Sequence, residues 1–362
     1  QGDIVIENDP LTLTGPGATQ LAISGNDASR IFNIAANIPV TLTGMTLQNG
    51  HTLWEGGAIR SEGPLIISDA VLVHNSAGSD GGAIDVTGNL TLTNSEVLSN
   101  TASGEGGGIN AFGDETVLMN GRFQNNQSGS FGGGIYATDS ISIDGTDFVS
   151  NTAASYAGAI WAFTDATIAN ATFDHNSATN LNAGAIYVRD DLDVTNSAFS
   201  NNSAGQNIGA IWAAQDAAIV GSSFSSNSTP AGRSAAVQVH GTLWLTATQW
   251  LNNESAQAGG ALVFLGDNGR IVNTLFAKNV GGDTTFEHDG SVEILHTTFA
   301  APAPSTHSAL TSDADGTISV KNNIFSGHLT ALDVITGSVS EDYNLFDVTT
   351  AVSGTATQGH HS

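Results

Sequence analysis

Aromatic side chains recur at a spacing of 25 or 26 residues in the middle of the chain. The residues of this predicted aromatic surface are Phe112, Tyr136, Trp161, Phe163, Tyr187 and Trp212. Each follows an Ile by one or three positions, so on a strand it lies on the opposite side from that Ile. Contiguous exposed rings are typical of binding surfaces, because rigid amphipathic rings suit polar ligands. We therefore expect them to bind a glycan or another surface partner. Self-association or cover by an adjacent loop are the alternatives.

A column of carboxylates accompanies the aromatic residues. Its members are Asp114, Asp139, Asp165, Asp190 with Asp191, Asp216, and later Asp267. They suit turns, which Asp favours, or shared calcium, which takes six to eight oxygen ligands. They also suit acid and base catalysis in a polysaccharide hydrolase or lyase. The catalytic candidates are then Asp165, Asp191 and Asp216, with Arg189 as the basic residue at the aromatic surface. All three roles stay open at this stage, and so does the question of whether the protein is an enzyme.

Both columns belong to a repeat that runs along the chain. The tetrapeptide Gly-Gly-Ala-Ile at 56–59 recurs in modified form as far as Gly-Gly-Ala-Leu at 259–262. Its last residue falls at 59, 84, 109, 135, 160, 186, 211, 237 and 262, in steps of 25 or 26. An apolar residue followed three positions later by Asn, as in Phe123 and Asn126, keeps the same phase. A fixed period of this length is the signature of a repeat architecture, and looser matches extend it to 13 turns.

The segments between the two columns predict short strands. Residues 89–94 and 140–144 alternate apolar and polar side chains, and no segment has the periodicity of an amphipathic helix. A leucine-rich repeat has a similar period but needs an L-x-x-L-x-L-x-x-N segment, which does not occur. The predicted fold is therefore all-β, a right-handed parallel β-helix of about 13 rungs of 25–26 residues. The Ile and Phe columns should fill its core, and the Asn should occupy a turn in left-handed backbone geometry.

The paired motifs GG[AG]I and FxxN resemble the repeat of chlamydial polymorphic outer membrane proteins. They are also similar to a wider bacterial family of secreted right-handed β-helix proteins, as are the segments 11–17, 23–34 and 343–346. The likeness covers nearly the whole chain. It implies a secreted or cell-surface, adhesin-like protein. Because the family also includes uncharacterised enzymes, a polysaccharide-degrading enzyme and a structural stalk are the alternatives.

Charge and length restrict the classes of partner and the number of domains. With 8 basic and 34 acidic residues the net charge is -26, which disfavours nucleic acid and anionic membranes. No apolar run approaches the ~18 residues of a membrane span. We expect one β-helix domain at 1–348 and a C-terminal tail at 349–362, whose His360 and His361 are of either native or tag origin. Because exposed solenoid ends would pair with other chains, we also expect the chain to be a fragment of a longer protein.

Overall fold

The protein is built from parallel strands that coil into a solenoid. The computed structural model describes residues 2–257, 259–281, 283–287, 290–301 and 305–358, and over these ranges it contains strands and turns but no helix. The chain forms two compact units, Gln1–Val188 and Arg189–Ser362, which we call unit 1 and unit 2. Each unit is a parallel β-solenoid. The two units together contain about 13 described turns, which confirms the predicted fold class. Residues 359–362, with His360 and His361, lie outside the described residues.

In unit 1 each complete turn contributes up to four strands, which pair with their equivalents in adjacent turns as four parallel ladders. The first ladder contains Ile4–Ile6, Phe32–Ile34, Ile59–Ser61, Ile84–Val86, Ile109–Ala111, Ile135–Ala137, Ile160–Ala162 and Ile186–Val188. The second contains Leu11–Thr14, Val40–Thr43, Leu65–Ser68, Leu90–Thr93, Glu115–Met119, Ser140–Asp144 and Ala166–Ala169. The third contains Ala22–Ser24, Thr46–Gln48, Val71–Val73, Glu96–Leu98, Arg122–Gln124, Asp147–Val149 and Thr172–Asp174. The fourth contains His51–Thr52, Ser76–Ala77, Thr101–Ala102, Gln127–Ser128, Thr152–Ala153 and Ser177–Ala178.

Unit 2 repeats the four ladders and then simplifies. The first ladder contains Ile211–Ala213, Val237–Val239, Leu262–Phe264 and Thr284–Phe286. The second contains Leu192–Thr195, Ala217–Val220, Leu243–Thr246, Asn268–Val272 and Ser291–Leu295. The third contains Ala198–Ser200, Ser223–Ser225, Gln249–Leu251, Leu275–Ala277, Thr298–Ala300, Ile324–Ser326 and Leu345–Asp347. The fourth contains Ser203–Ala204, Ser228–Thr229 and Glu254–Ser255. Single strands span the first and second ladders in the last turns, at Ser308–Lys321, Thr330–Asp342 and Thr350–Gln358.

The core consists of identical side chains stacked in register. In the first ladder Ile109 pairs with Ile135 and Ile135 with Ile160, and all three side chains are fully buried. In the third ladder Phe148 stacks between Phe123 and Phe173, with 4.9 Å between ring centroids on each side. Burying each such side chain contributes about 1.5–3 kcal/mol. The two apolar columns of the repeat therefore supply a continuous core, as the spacing predicted.

The Asn of each FxxN motif forms a buried amide ladder beside this core. Asn126 Nδ2 donates to the Val97 carbonyl at 2.8 Å and to Asn151 Oδ1 at 2.9 Å. Asn126 Oδ1 accepts from the backbone N–H and from the Nδ2 of Asn100, both at 3.0 Å. Every hydrogen-bonding site of the side-chain amide is thus used, and two of its four bonds join the neighbouring amides of the column.

The left-handed turn residue is the one before this Asn. His74, Asn125 and Ser150 have φ of 56°, 56° and 55°, whereas the Asn that follows each of them does not lie in the left-handed region. The expected left-handed geometry of the motif Asn was therefore wrong. Its side chain must point inward to join the amide ladder, so the preceding residue makes the turn.

The two glycines of the GG[AG]I motif are required for different physical reasons. Gly132, the first, has φ of 62°, a conformation that costs an L-residue about 1 kcal/mol or more. Gly133, the second, lies against the next turn: a Cβ there would meet the Gly158 carbonyl oxygen at 2.2 Å. The first glycine provides the bend, and the second allows adjacent turns to approach to hydrogen-bonding distance.

We expect Gly133→Ala to destabilise the protein by about 1–3 kcal/mol, because the added methyl overlaps the Gly158 carbonyl oxygen and the backbone of adjacent turns must shift to admit it. Gly134→Ala is the matched control and should cost clearly less, because a Cβ there would meet the Ala159 carbonyl oxygen at 2.8 Å and not at 2.2 Å. Its position already has Ala in the turns of Ala58, Ala83 and Ala159. Urea unfolding followed by circular dichroism measures both variants, and equal midpoints for the two would contradict the steric account.

Asn126→Ala should cost about 3 kcal/mol, because it leaves the buried N–H and amide groups of Asn100 without acceptors. The control is Asn125→Gly, at the exposed left-handed position, which should stay within about 0.5 kcal/mol of the parent. The same urea assay compares them. A larger loss of stability in Asn125→Gly than in Asn126→Ala would show that the turn geometry, rather than the amide ladder, determines stability.

Candidate functional site

The aromatic residues of unit 1 form one cluster outside the core. Tyr136 and Trp161 stack with 4.6 Å between ring centroids and an interplanar angle of 8°. Trp161 and Tyr187 stack at 5.7 Å and 3°. The three side chains are half-buried and follow one another along the outer side of the first ladder, where Tyr136 pairs with Trp161 and Trp161 with Tyr187.

Stacking determines which parts of these rings can contact a ligand. Both faces of the Trp161 indole are covered, one by Tyr136 and the other by Tyr187. Phe112 and Phe163 are instead tilted against the column, at 56° to Tyr136 and 44° to Trp161, and are 44% and 39% exposed. The column therefore presents ring edges and hydroxyl groups, while the two Phe side chains present apolar ring surface.

Two further aromatic residues belong to the cluster and did not emerge from the sequence. Phe131 lies 5.7 Å from Tyr156 and 5.9 Å from Trp161, and Tyr156 meets Tyr187 edge-on at 5.7 Å. They come from the loop between the fourth and first ladders and cover the column on one side. Each precedes its column residue by five positions, and this constant offset is the sequence signal that could have identified them. The aromatic surface of unit 1 therefore contains Phe112, Phe131, Tyr136, Tyr156, Trp161, Phe163 and Tyr187.

Acidic side chains border this surface toward the N-terminus. The carboxylate of Glu105, at the loop position equivalent to Phe131 one turn earlier, lies close enough to the Tyr136 hydroxyl to influence its ionisation. Burial, and next the Glu105 charge, raise the pKa of Tyr136 to about 12. Burial, and next the charge of Asp80, also raise the pKa of Glu105. The border is thus a negatively charged, hydrogen-bonding edge to the aromatic surface.

Asp85 is a buried carboxyl group in the same region. It precedes Asn110 in the outward column of the first ladder, and Asn110 Nδ2 donates to Asp85 Oδ1 at 2.8 Å. Its pKa is raised to about 6, chiefly by burial, with the hydrogen bond from Asn110 opposing the shift.

Trp212 lies in unit 2, where it is half-buried and stacks on His240 with 5.6 Å between ring centroids. Burial lowers the pKa of His240. The six aromatic residues predicted from the sequence therefore belong to two units, with five of them in the cluster of unit 1.

The carboxylate column occupies bends between the first and second ladders. In unit 2, Asp191 Oδ1 accepts from the Asp216 backbone N–H at 3.1 Å, and Asp216 Oδ1 accepts from that of Thr242 at 2.6 Å. This is the hydrogen bonding expected of turn residues. Asp190, Asp191 and the neighbouring Arg189 are exposed.

In unit 1, Asp114 and Asp165 are exposed and Asp139 is half-buried. Over the described part of the chain, no three His, Asp or Glu side chains converge as a metal site. Calcium binding and catalysis by this column stay predictions.

Comparison with protein families identifies one repeat. The chain is a parallel β-solenoid repeat protein, and its residues 120–138 match the Chlamydia polymorphic membrane protein repeat. This segment contains Phe123 and Asn126 of one turn and Tyr136 of the aromatic surface. Comparison with curated proteins and with solved structures gives no match.

The repeat match and the solenoid together describe a protein similar to the Chlamydia polymorphic membrane proteins. In the described ranges, no helix has the length and apolar character needed to cross a bilayer.

Asp85→Asn should stabilise the protein above pH 6. The folded state keeps the Asp85 proton up to about pH 6, whereas an unfolded Asp releases it near ~3.9, so ionisation weakens the folded state as pH rises between these values. The variant should therefore gain about 1–3 kcal/mol at pH 7.5 and almost nothing at pH 4.

Urea unfolding at both pH values measures this difference for Asp85→Asn. Asp147→Asn, at an exposed position, controls for the loss of one negative charge. If Asp85→Asn raised the free energy of unfolding equally at both pH values, Asp85 would not be a buried carboxyl group that titrates between them.

Proposed function

We propose that the protein is an adhesin-like, secreted or cell-surface β-solenoid that binds a glycan or another surface partner through the aromatic surface of unit 1. The observation that carries the proposal is the cluster of seven aromatic rings outside the core. Apolar rings on a solvent-facing side cost free energy in water, and contact with a partner recovers it.

Rigidity of the cluster supports binding over a merely structural role. Tyr136, Trp161 and Tyr187 are held by mutual stacking and by strands of the first ladder, so a partner does not have to order them. Preorganised aromatic side chains lose little conformational entropy on binding. Phe112 and Phe163 offer ring surface, and the stacked column offers edges that a sugar ring or an extended peptide can lie along.

The polar groups around the rings indicate what kind of partner fits. Glu105 and the tyrosine hydroxyls supply hydrogen-bonding groups beside apolar ring surface, which is the combination that amphipathic sugars require. The net charge of -26 disfavours polyanions, so neutral glycans and neutral or basic protein surfaces are the partners we propose.

The double variant Phe112→Ser, Phe163→Ser should lower binding to its partner at least tenfold, because it removes the apolar ring surface and leaves the stacked column in place. Binding is measured on an array of neutral glycans and on immobilised extracellular-matrix glycoproteins. Met119→Ser, which removes another exposed apolar side chain of unit 1, is the control and should bind as the parent does.

Unchanged binding in the double variant, with an unchanged unfolding midpoint, would refute the proposal. If the parent binds neither array nor matrix, a structural stalk is the better account. If the double variant binds as the parent does but has a different molar mass by light scattering, the aromatic surface is a self-association face.

A further inference from the structure

A groove of about 400 Å³ lies on the outer side of the second ladder of unit 2. Two outward columns of side chains line it, separated by the backbone of a buried column. One column contains Thr242, Asn268, Ser291, Thr317 and Ser338. The other contains Trp244, Arg270, Glu293, Ser319 and Ser340. The groove therefore runs parallel to the solenoid axis and crosses five turns, which are ~4.8 Å apart.

Trp244 differs from Trp161 and Trp212, which stack on neighbouring rings, because no ring of the described residues stacks on it. Its neighbours in register are Ala218 on one side and Arg270 on the other. The Ala218 methyl is too small to cover an indole, and 52% of Trp244 is exposed. Unlike Trp161, whose faces are covered by Tyr136 and Tyr187, this indole offers ring surface to a ligand.

The groove contains one positively and one negatively charged side chain, which form an ion pair. Arg270 Nε donates to Glu293 Oε2 at 2.9 Å, and both side chains are substantially exposed. They pair in register on adjacent strands, so the pair lies directly beside Trp244 along the column. The remaining outward side chains are uncharged hydroxyls and one amide. An exposed ion pair of this kind adds little stability, but its donors and acceptors can reach a ligand's hydroxyl groups.

We propose that this groove binds a neutral oligosaccharide chain lying along the solenoid axis. One sugar ring contacts the Trp244 indole, the Arg270 and Glu293 pair hydrogen-bonds the hydroxyls of the next, and the Ser and Thr columns contact the rest. An amphipathic ring beside convergent polar groups is the usual composition of a small-ligand site. Anionic polysaccharides are disfavoured, because the groove has no net charge and the whole chain carries -26.

This site is independent of the one proposed in unit 1, since no residue is shared. Cellohexaose, chitohexaose and mannohexaose are the neutral probes, and a hexamer of galacturonate is the anionic one. Titration calorimetry and tryptophan fluorescence on the full chain measure binding. At least one neutral probe should bind, and the galacturonate hexamer should bind at least about tenfold more weakly.

Two variants test the groove by opposite changes. Trp244→Ala removes the ring surface, and Ser319→Trp fills the groove from an outward position while it leaves Trp244 in place. Each should weaken binding of the neutral probe at least about tenfold, which corresponds to one aromatic contact. Trp54→Ala, at an exposed tryptophan of unit 1, should bind as the parent does.

The proposal is overturned if none of the three neutral hexasaccharides binds, if the anionic hexamer binds best, or if both groove variants bind as the parent does. Because Ser319→Trp removes no apolar contact, it keeps the test valid even if Trp244→Ala unfolds. The Phe112→Ser, Phe163→Ser variant should leave this titration unchanged. Failure of the unit 1 proposal is thus distinguishable from failure of this one.

Discussion

Everything else in this structure depends on the register between turns. Each turn must present its backbone N–H and C=O groups, its motif Asn amide and its apolar side chains at the same position as the turn before. The amide ladder shows how strict this is: Asn126 uses all four of its hydrogen-bonding sites, and three of the four bonds go to the motif Asn of the turn before or after it. A shift by one residue would turn each strand's core side chains outward and leave buried amides unpaired.

Register also explains how one repeat supports different surfaces. Every outward position is repeated in each turn, so the outward side chains form columns. The chemistry of such a surface depends on which side chains are adjacent in its column. Where consecutive turns all have large rings, as at Tyr136, Trp161 and Tyr187, the rings cover one another's faces and form a rigid stack. Where a small residue precedes a ring, as Ala218 precedes Trp244, the ring surface stays available. The same residue type is therefore stacked on both faces at Trp161 and exposed at Trp244.

The period, the core and the outward direction of the columns were predictable, since each depends on local alternation and on repeated identity. Burial of Phe148 and Ile135 and the half-buried outer position of Trp161 all agree with the sequence pattern. The roles within the turns were less predictable. The left-handed residue proved to be Asn125 and not Asn126, because the amide ladder requires the second Asn to point inward. Ala157 and Ile208 show that this backbone conformation persists where the first motif glycine is lost, with φ of 60° and 64°.

Sequence by itself determined the all-β class, the period of 25–26 residues and the identity of the buried columns, because these follow from the order of side chains along one strand and turn. Only the tertiary structure decided which outward side chains meet. Phe131 and Tyr156 join the aromatic surface from a loop, Asp85 is buried despite its outward register, and Trp244 lies over a groove whose lining comes from five turns. Those contacts depend on loop conformation and on the side-chain sizes of adjacent turns, which lie about 25 residues apart in the chain and next to each other in space.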